Sequence, residues 1–268
     1  MERYQPVGVF DSGVGGLTVV REIIKILPRE NIIYVGDTAN VPYGGKSPQE
    51  LIRIGRNIME FFLEQGVKAV VAACNTSSSV SVPELRRMYR VPIIDVVAPG
   101  ALDAASTTRA GRIGVIATAT TVASGAYTKH VKSHRPESEV WEVACPRFVP
   151  FVEQGALDGP EVEGAAREYL EPLRCRGIDT LIIGCTHYPF LVPVIRRILG
   201  DGVELVDPAR ATAWHLAAVL REHDMINEGH GEPQHRFFAT GSLESFHMIS
   251  KLVPEVDLSD VTRIKLER

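Results

Sequence analysis

Twice along this chain a short apolar run stops at a cysteine, and small hydrogen-bonding residues take over. The first is VKAVVAACNTSSS, Val67 to Ser79, and the second is IDTLIIGCTHYP, Ile178 to Pro189. A near-continuous apolar run of this length is what a parallel strand covered on both faces requires, because neither face meets water. Cys74 and Cys185 stand 111 positions apart in a chain of 268 residues. A thiol at one strand end is most often packing. The same device in each half points to two groups aimed at one substrate.

The rest of the chain repeats this grammar of strand, polar loop and helix. Val7 to Phe10 runs into Asp11-Ser12 and a glycine-rich turn, and Leu17 to Leu27 then carries apolar residues at helical spacing. Asn31 to Val35 is a second strand, followed by Gly36-Asp37-Thr38 and Pro42 to Ser47, with an amphipathic helix over Pro48 to Gln65. Val67 to Ala73 and Val91 to Val96 are further strands, with a short helix over Pro83 to Tyr89 between them. Arg112 to Ala117 restarts the pattern, with Thr118, Thr120 and Thr121 in the place after the strand. Strands at Glu139 to Val143, Asp179 to Ile183 and Val203 to Val206 follow, with helices at Glu161 to Cys175, Tyr188 to Leu199 and Ala209 to His223. Arg236 to Thr240, Leu243 to Leu252 and Val261 to Leu266 read as strand, helix and closing strand. Alternation of this kind argues for an α/β fold with mostly parallel sheets flanked by helices. The similar offset of the two restarts and the two cysteines suggests two similar lobes with a pseudo-twofold relation. Residues 1–97 with 209–268 would form the Cys74 lobe, and 98–208 the Cys185 lobe. Short crossovers would lie near 96–100 and 207–210.

Net charge is −4, which gives no support to nucleic-acid or anionic-membrane binding. No apolar run approaches the roughly 18 residues of a membrane span. MERYQPVGVF has no cationic segment leading into an apolar core, so a cytoplasmic protein without a secretory signal is expected. The four cysteines make no CxxC pair and no Cys/His spacing suited to zinc. Reduced thiols and no metal are therefore expected. Cys145 and Cys175 are read as small buried hydrophobes. The GxGG at Gly13 to Gly16 lacks the full dinucleotide fingerprint, so its glycines are read as letting backbone amides approach a small anion.

In folds of this kind ligands sit beyond the carboxyl ends of parallel strands. Asp11-Ser12, Asp37-Thr38, Cys74-Asn75-Thr76, Thr118 to Thr121 and Cys185-Thr186-His187 all occupy such places, so one cleft between the lobes is expected to collect them. Hydroxyls, an amide and helix N-termini can hold a carboxylate without a buried cation. A cysteine at a helix N-terminus has its thiolate favoured, below the free value of about 8.5. A thiolate facing a thiol across a carbon centre is a base and an acid. If one removes a proton from one face while the other supplies one to the opposite face, the centre inverts. Taken singly each residue has a plainer role: Asp11 and Asp37 as helix N-caps, His187 at a helix start, Tyr43-Gly44 in a turn.

Carried by FDSGVGGLTV, GDTANVPYGGKS, ACNTSSS, the segment from Cys145 to Glu153, GCTHYP and FFATGS, the chain resembles the glutamate racemases of the cofactor-independent aspartate/glutamate racemase superfamily. The resemblance covers nearly the full length. It implies a two-lobed fold with the active site between the lobes, and Cys74 and Cys185 as the catalytic acid/bases. It further implies no cofactor, glutamate as the small-molecule substrate, D-glutamate supplied to peptidoglycan, and a homodimer. By position it assigns Asp11, Ser12, Tyr43, Gly44, Asn75, Thr76, Thr186 and His187 to substrate binding, with Thr118, Thr120 or Thr121 approaching the ligand. Asp11, Asp37, Glu153 and His187 would tune or orient the thiols. Ser77 stands where alanine is usual and Phe190 where leucine is usual; neither removes a role. An aspartate racemase is the nearest rival, and there the residue after the threonine of the second cysteine loop is typically glutamate, so GCTHYP favours glutamate. A non-catalytic acid clamp and a Cys74–Cys185 redox switch are the rivals of other classes.

Overall fold

The structure, a computed structural model, describes residues 2–266. The described residues divide into two compact units, one of residues up to 96 together with those from 209 on, the other of residues 97–208. Each unit is built on its own parallel sheet.

The first unit holds six strands: β1 (Val7–Asp11), β2 (Ile32–Gly36), β3 (Ala69–Ala72), β4 (Ile93–Asp95), β9 (His235–Ala239) and β10 (Val261–Arg263). The second holds β5 (Arg112–Ala117), β6 (Glu139–Ala144), β7 (Thr180–Gly184) and β8 (Glu204–Val206). Spatial order is β10-β9-β2-β1-β3-β4 in one and β6-β5-β7-β8 in the other. Every pairing among these strands is parallel. The run β2-β1-β3-β4 therefore has the same connectivity as β6-β5-β7-β8, and the first unit extends it with β9 and β10. The α/β reading with helix-flanked parallel sheets holds.

Burial on both faces explains the strand composition. In β5, Ile113, Val115 and Ala117 face one apolar cluster that includes Val97, Ala101 and Ala104 from helix Val97–Thr107 and Tyr127 and Val131 from helix Ala126–His134. Ile116 points the other way, into a cluster with Leu170 and Leu173 of helix Pro160–Cys175 and Val194 and Ile195 of helix Val192–Leu199. In the first unit Phe10, Ile33, Val35, Val70 and Ala72 meet Leu51, Ile54, Ile58 and Phe62 of helix Pro48–Glu64. That helix opens on a capping box in which Ser47 and Glu50 satisfy each other's backbone amides, with Pro48 in its first turn where no N–H is needed.

Several elements depart from the sequence reading. Helix Val97–Thr107, absent from the sequence reading, begins where the chain passes from the first unit to the second, within the stretch expected for a crossover. Its VAPGALDAAST sequence hides the pattern, because proline is tolerated in a first turn and Gly100 is needed where a Cβ would stand 2.8 Å from the Pro208 ring. Two helices, Ala119–Ser124 and Ala126–His134, fill the segment after β5, separated by Gly125 at φ 61°. Tyr188 to Leu199 is a 3-10 turn, Tyr188–Leu191, followed by an α-helix from Val192. The closing strand stops at Arg263. Among the described residues no helix is long and apolar enough to cross a membrane.

Candidate active site

Because the two sheets share their connectivity, the loops that carry the candidate residues can be compared strand by strand. β1 ends at Asp11, whose main-chain oxygen accepts from the Asp37 amide at 2.9 Å; β5 ends at Ala117, whose oxygen accepts from the Cys145 amide at the same distance. Asp37 beyond β2 thus matches Cys145 beyond β6. Cys74 and Cys185 fall just beyond the matched strands β3 and β7.

In the first unit, Asp11 is buried and its Oδ2 accepts from the Gly13 and Gly16 amides, each at 3.1 Å. Gly16 is required there: a Cβ would come within 2.5 Å of the Asp11 Cβ. Ser12 follows, also buried. Asp37 is a second buried carboxylate with four contacts. Its Oδ1 accepts from the Thr240 hydroxyl at 2.7 Å, its Oδ2 from the Tyr43 hydroxyl at 2.6 Å, and both oxygens from the Asn40 amide at 3.0 Å. The Thr240 oxygen in turn accepts from the Ala39 amide at 3.0 Å, pinning the loop after β2 to the end of β9. Tyr43 opens the short 3-10 turn Tyr43–Gly45 that contains Gly44. Burial, and then the negative charge of Asp37, hold the Tyr43 phenol well above its usual range, with smaller contributions from Cys74 and Asp11. It therefore stays protonated and donates. Cys74 takes the N-cap position of helix Asn75–Val80, and Asn75 and Thr76 are buried in its first turn.

In the second unit, Thr118 caps helix Ala119–Ser124: its hydroxyl lies 3.0 Å from that of Thr121, and its oxygen accepts the Thr121 amide at 3.4 Å. Thr121 is buried, whereas Thr118 and Thr120 are half-buried. Cys185, Thr186 and His187 are buried beyond β7. His187 Nε2 lies 2.6 Å from Glu153 Oε1 and Nδ1 lies 4.0 Å from the Cys185 sulfur. The two ring nitrogens of His187 therefore face different groups, Nε2 the Glu153 carboxyl and Nδ1 the thiol. Glu153, His187 and the Cys185 sulfur thus stand in a row. Glu153 closes helix Phe148–Glu153, whose other residues bury Phe148, Val149, Phe151 and Val152.

All four cysteines are thiols outside any disulfide. Cys145 is buried, as read from the sequence; Cys175 is exposed at the end of its helix, against that reading, because the last turn of a surface helix turns partly to water. Burial, with the nearby Cys185 sulfur second, pushes the Cys145 thiol well above its ordinary range. Burial, then Cys185 and Cys145, do the same to the Tyr188 phenol, whose hydroxyl donates to the Cys145 carbonyl at 3.0 Å. Asn40 and Thr240 were not singled out from sequence; the signal for Thr240 is a hydroxyl directly after a strand's carboxyl end.

The three raised groups make a stability prediction. Raised acids favour their neutral forms in the folded protein, so their contribution is whole below the unfolded values, about 8.5 for a thiol and about 10 for a phenol. It is lost as pH rises from those values through the folded ones. Melting temperature followed by circular dichroism is expected to fall from about pH 8.5 upward. A flat profile to about pH 10.5 would contradict the buried, neutral state of Cys145, Tyr43 and Tyr188.

Comparison with known proteins bears on the chemistry directly. The family model described as Asp/Glu/Hydantoin racemase matches residues 7–216. The glutamate racemase of Desulforudis audaxviator is 48% identical, with 98% of each chain covered. The crystal structure of a glutamate racemase isoform from Bacillus anthracis superposes with a TM-score of 0.94 at 38% identity over 99% of each chain. That of the glutamate racemase from Francisella tularensis, in complex with D-glutamate, gives 0.92 at 34% identity, again over 99% of each. A match of this extent, over a chain whose two thiol loops close topologically matched strands, places the protein among the isomerases of the aspartate/glutamate/hydantoin racemase family.

Proposed function

We propose that this protein interconverts L- and D-glutamate by proton transfer between two cysteines, without a cofactor, and so supplies D-glutamate for peptidoglycan. The observation that carries this reading is the pair of reduced, buried thiols at matched strand ends, Cys74 and Cys185. In the proposed cycle the Cys74 thiolate removes the α-proton of D-glutamate while the Cys185 thiol delivers a proton to the opposite face, and the reverse direction begins at Cys185. Neutral and ionised thiols exchange places in each turnover, as an isomerisation near equilibrium needs. Asp11 and Asp37 stand on the Cys74 side of this scheme, and Glu153 acting through His187 on the Cys185 side. Backbone amides, Ser12, Asn75, Thr76 and Thr186 would take the substrate carboxylates, with Tyr43, Gly44 and the threonines at 118, 120 and 121 around them. A homodimer in the cytoplasm belongs to the same reading, supported by the family resemblance. The identity to glutamate racemases across the whole chain favours glutamate over aspartate.

Incubation of the reduced protein with L-glutamate in D₂O, with no added cofactor, is the direct test. Loss of optical rotation together with deuterium at the α-carbon is expected. The same experiment with L-aspartate should show little exchange. Absence of exchange from glutamate while both thiols titrate as free would overturn the assignment.

A further inference from the structure

A cavity of about 210 Å³ opens in the first unit beside Asp37. It is lined by the loop after β2, one face of helix Pro48–Glu64, Thr240 beyond β9, and the end of β10 with the segment that follows it. Three cations converge on it, Arg53, Arg263 and Lys265, together with the amides of Asn40 and Asn57. Among the described residues none of the three cations is in an ion pair. Glu50, one helical turn before Arg53 and close enough to feel its charge, is committed to the Ser47 amide and hydroxyl. The one carboxylate in the cavity wall, Asp37, has its oxygens taken up by Asn40, Tyr43 and Thr240. Ile54, Ala39 and Leu266 complete the lining with apolar surface.

Three cations against the single Asp37 carboxylate leave the wall of the cavity with an excess of positive charge, which an entering anion offsets. A concave site with a few convergent polar groups and an apolar remainder is the usual form of a small-ligand pocket, and it lies where open parallel sheets place ligands, beyond the carboxyl ends of their strands. We propose that the cavity walled by Arg53, Arg263, Lys265, Asn40 and Asn57 is a second ligand site, which takes a small molecule with a multiply charged phosphate or carboxylate head.

Calorimetric titration of the whole protein with inorganic diphosphate, and separately with citrate, tests this without relying on any catalytic activity. Saturable binding to one site per chain is expected, weakening as salt is raised; the tighter of the two probes identifies the head group. The R53A/R263A/K265A variant removes three exposed side chains and should fold. It is expected to weaken binding by about tenfold or more, while removal of two exposed cations from the other unit, K129A/K132A, should leave it within about twofold. No saturable binding of either probe, or equal weakening by both sets of substitutions, would overturn the proposal.

Discussion

Replacing either Cys74 or Cys185 by alanine is expected to abolish racemisation, with a loss of about a hundred- to ten-thousandfold, the range a positioned acid or base contributes. The scheme says more than that both are needed. With Cys74 removed, the Cys185 thiolate still has a base's reach to the α-proton of L-glutamate, but no acid serves the other face. The proton can then return only to the side it left, after exchange with solvent. Cys74→Ala should therefore admit slow deuterium into L-glutamate with retention of configuration, and Cys185→Ala should do the same to D-glutamate. Nuclear magnetic resonance of the α-position with chiral analysis of the recovered acid reads both quantities. Full racemisation by either variant would sink the two-base mechanism, and exchange of the opposite enantiomers would reverse the assignment of faces. Melting curves matching the parent would confine the effect to chemistry, as expected when one buried sulfur is removed from a short loop.

At the opposite end of the first unit's sheet, Lys68→Met is expected to cost about 3–5 kcal/mol of stability. Lys68 and Glu30 are both buried, and Nζ stands 2.5 Å from Glu30 Oε2. The ammonium also donates to the carbonyl of Met225 at 2.8 Å and to that of Arg3, while Glu30 Oε1 accepts from the Asn227 amide at 2.8 Å. Four separate stretches of chain are thus tied to one ion pair: the N-terminal segment, the turn before β2, the start of β3 and the loop after helix Pro208–Glu222. Burial lowers the Lys68 pKa, and Glu30 opposes that shift. Methionine removes the cation while keeping much of its volume, so Glu30 is left as a buried charge without its partner. A fall in melting temperature on the order of 10 °C should follow, and the double variant Lys68→Met, Glu30→Leu should recover most of it. An unchanged melt for the single variant would contradict the pair as described.

How legible all this was in the sequence depends on what kind of signal each element carries. Strands such as VFD before a glycine turn or TLIIG before a cysteine declare themselves, since burial on both faces forces a continuous apolar run. Helix Pro48–Glu64 does too, through its capping box and its apolar stripe. Helix Val97–Thr107 did not, because a helix of alanine, glycine and valine packed close to its neighbours carries little contrast between its faces. The candidate site divides the same way. Cysteine, aspartate and histidine after a strand are conspicuous, and the loops that contain them were found. Asn40 and Thr240 were missed because neither is unusual where it stands. Their role is to be the right distance from Asp37, and that distance is set by β9 pairing with β2 from two hundred residues away.

The sequence by itself determined most of the elements and the residue types at their ends: period, caps and polar loops are local properties, and the two cysteine loops are among the motifs on which the family resemblance rests. Tertiary structure alone decided which side chains share a proton or a charge. The contacts Asp37–Thr240 and Glu153–His187, the buried Lys68–Glu30 pair and the meeting of Arg53 with Arg263 and Lys265 around one cavity all join residues that lie far apart along the chain. Hydrogen bonds and ion pairs fade within a few ångströms, and only the packing of the sheets and helices brings distant residues within that range.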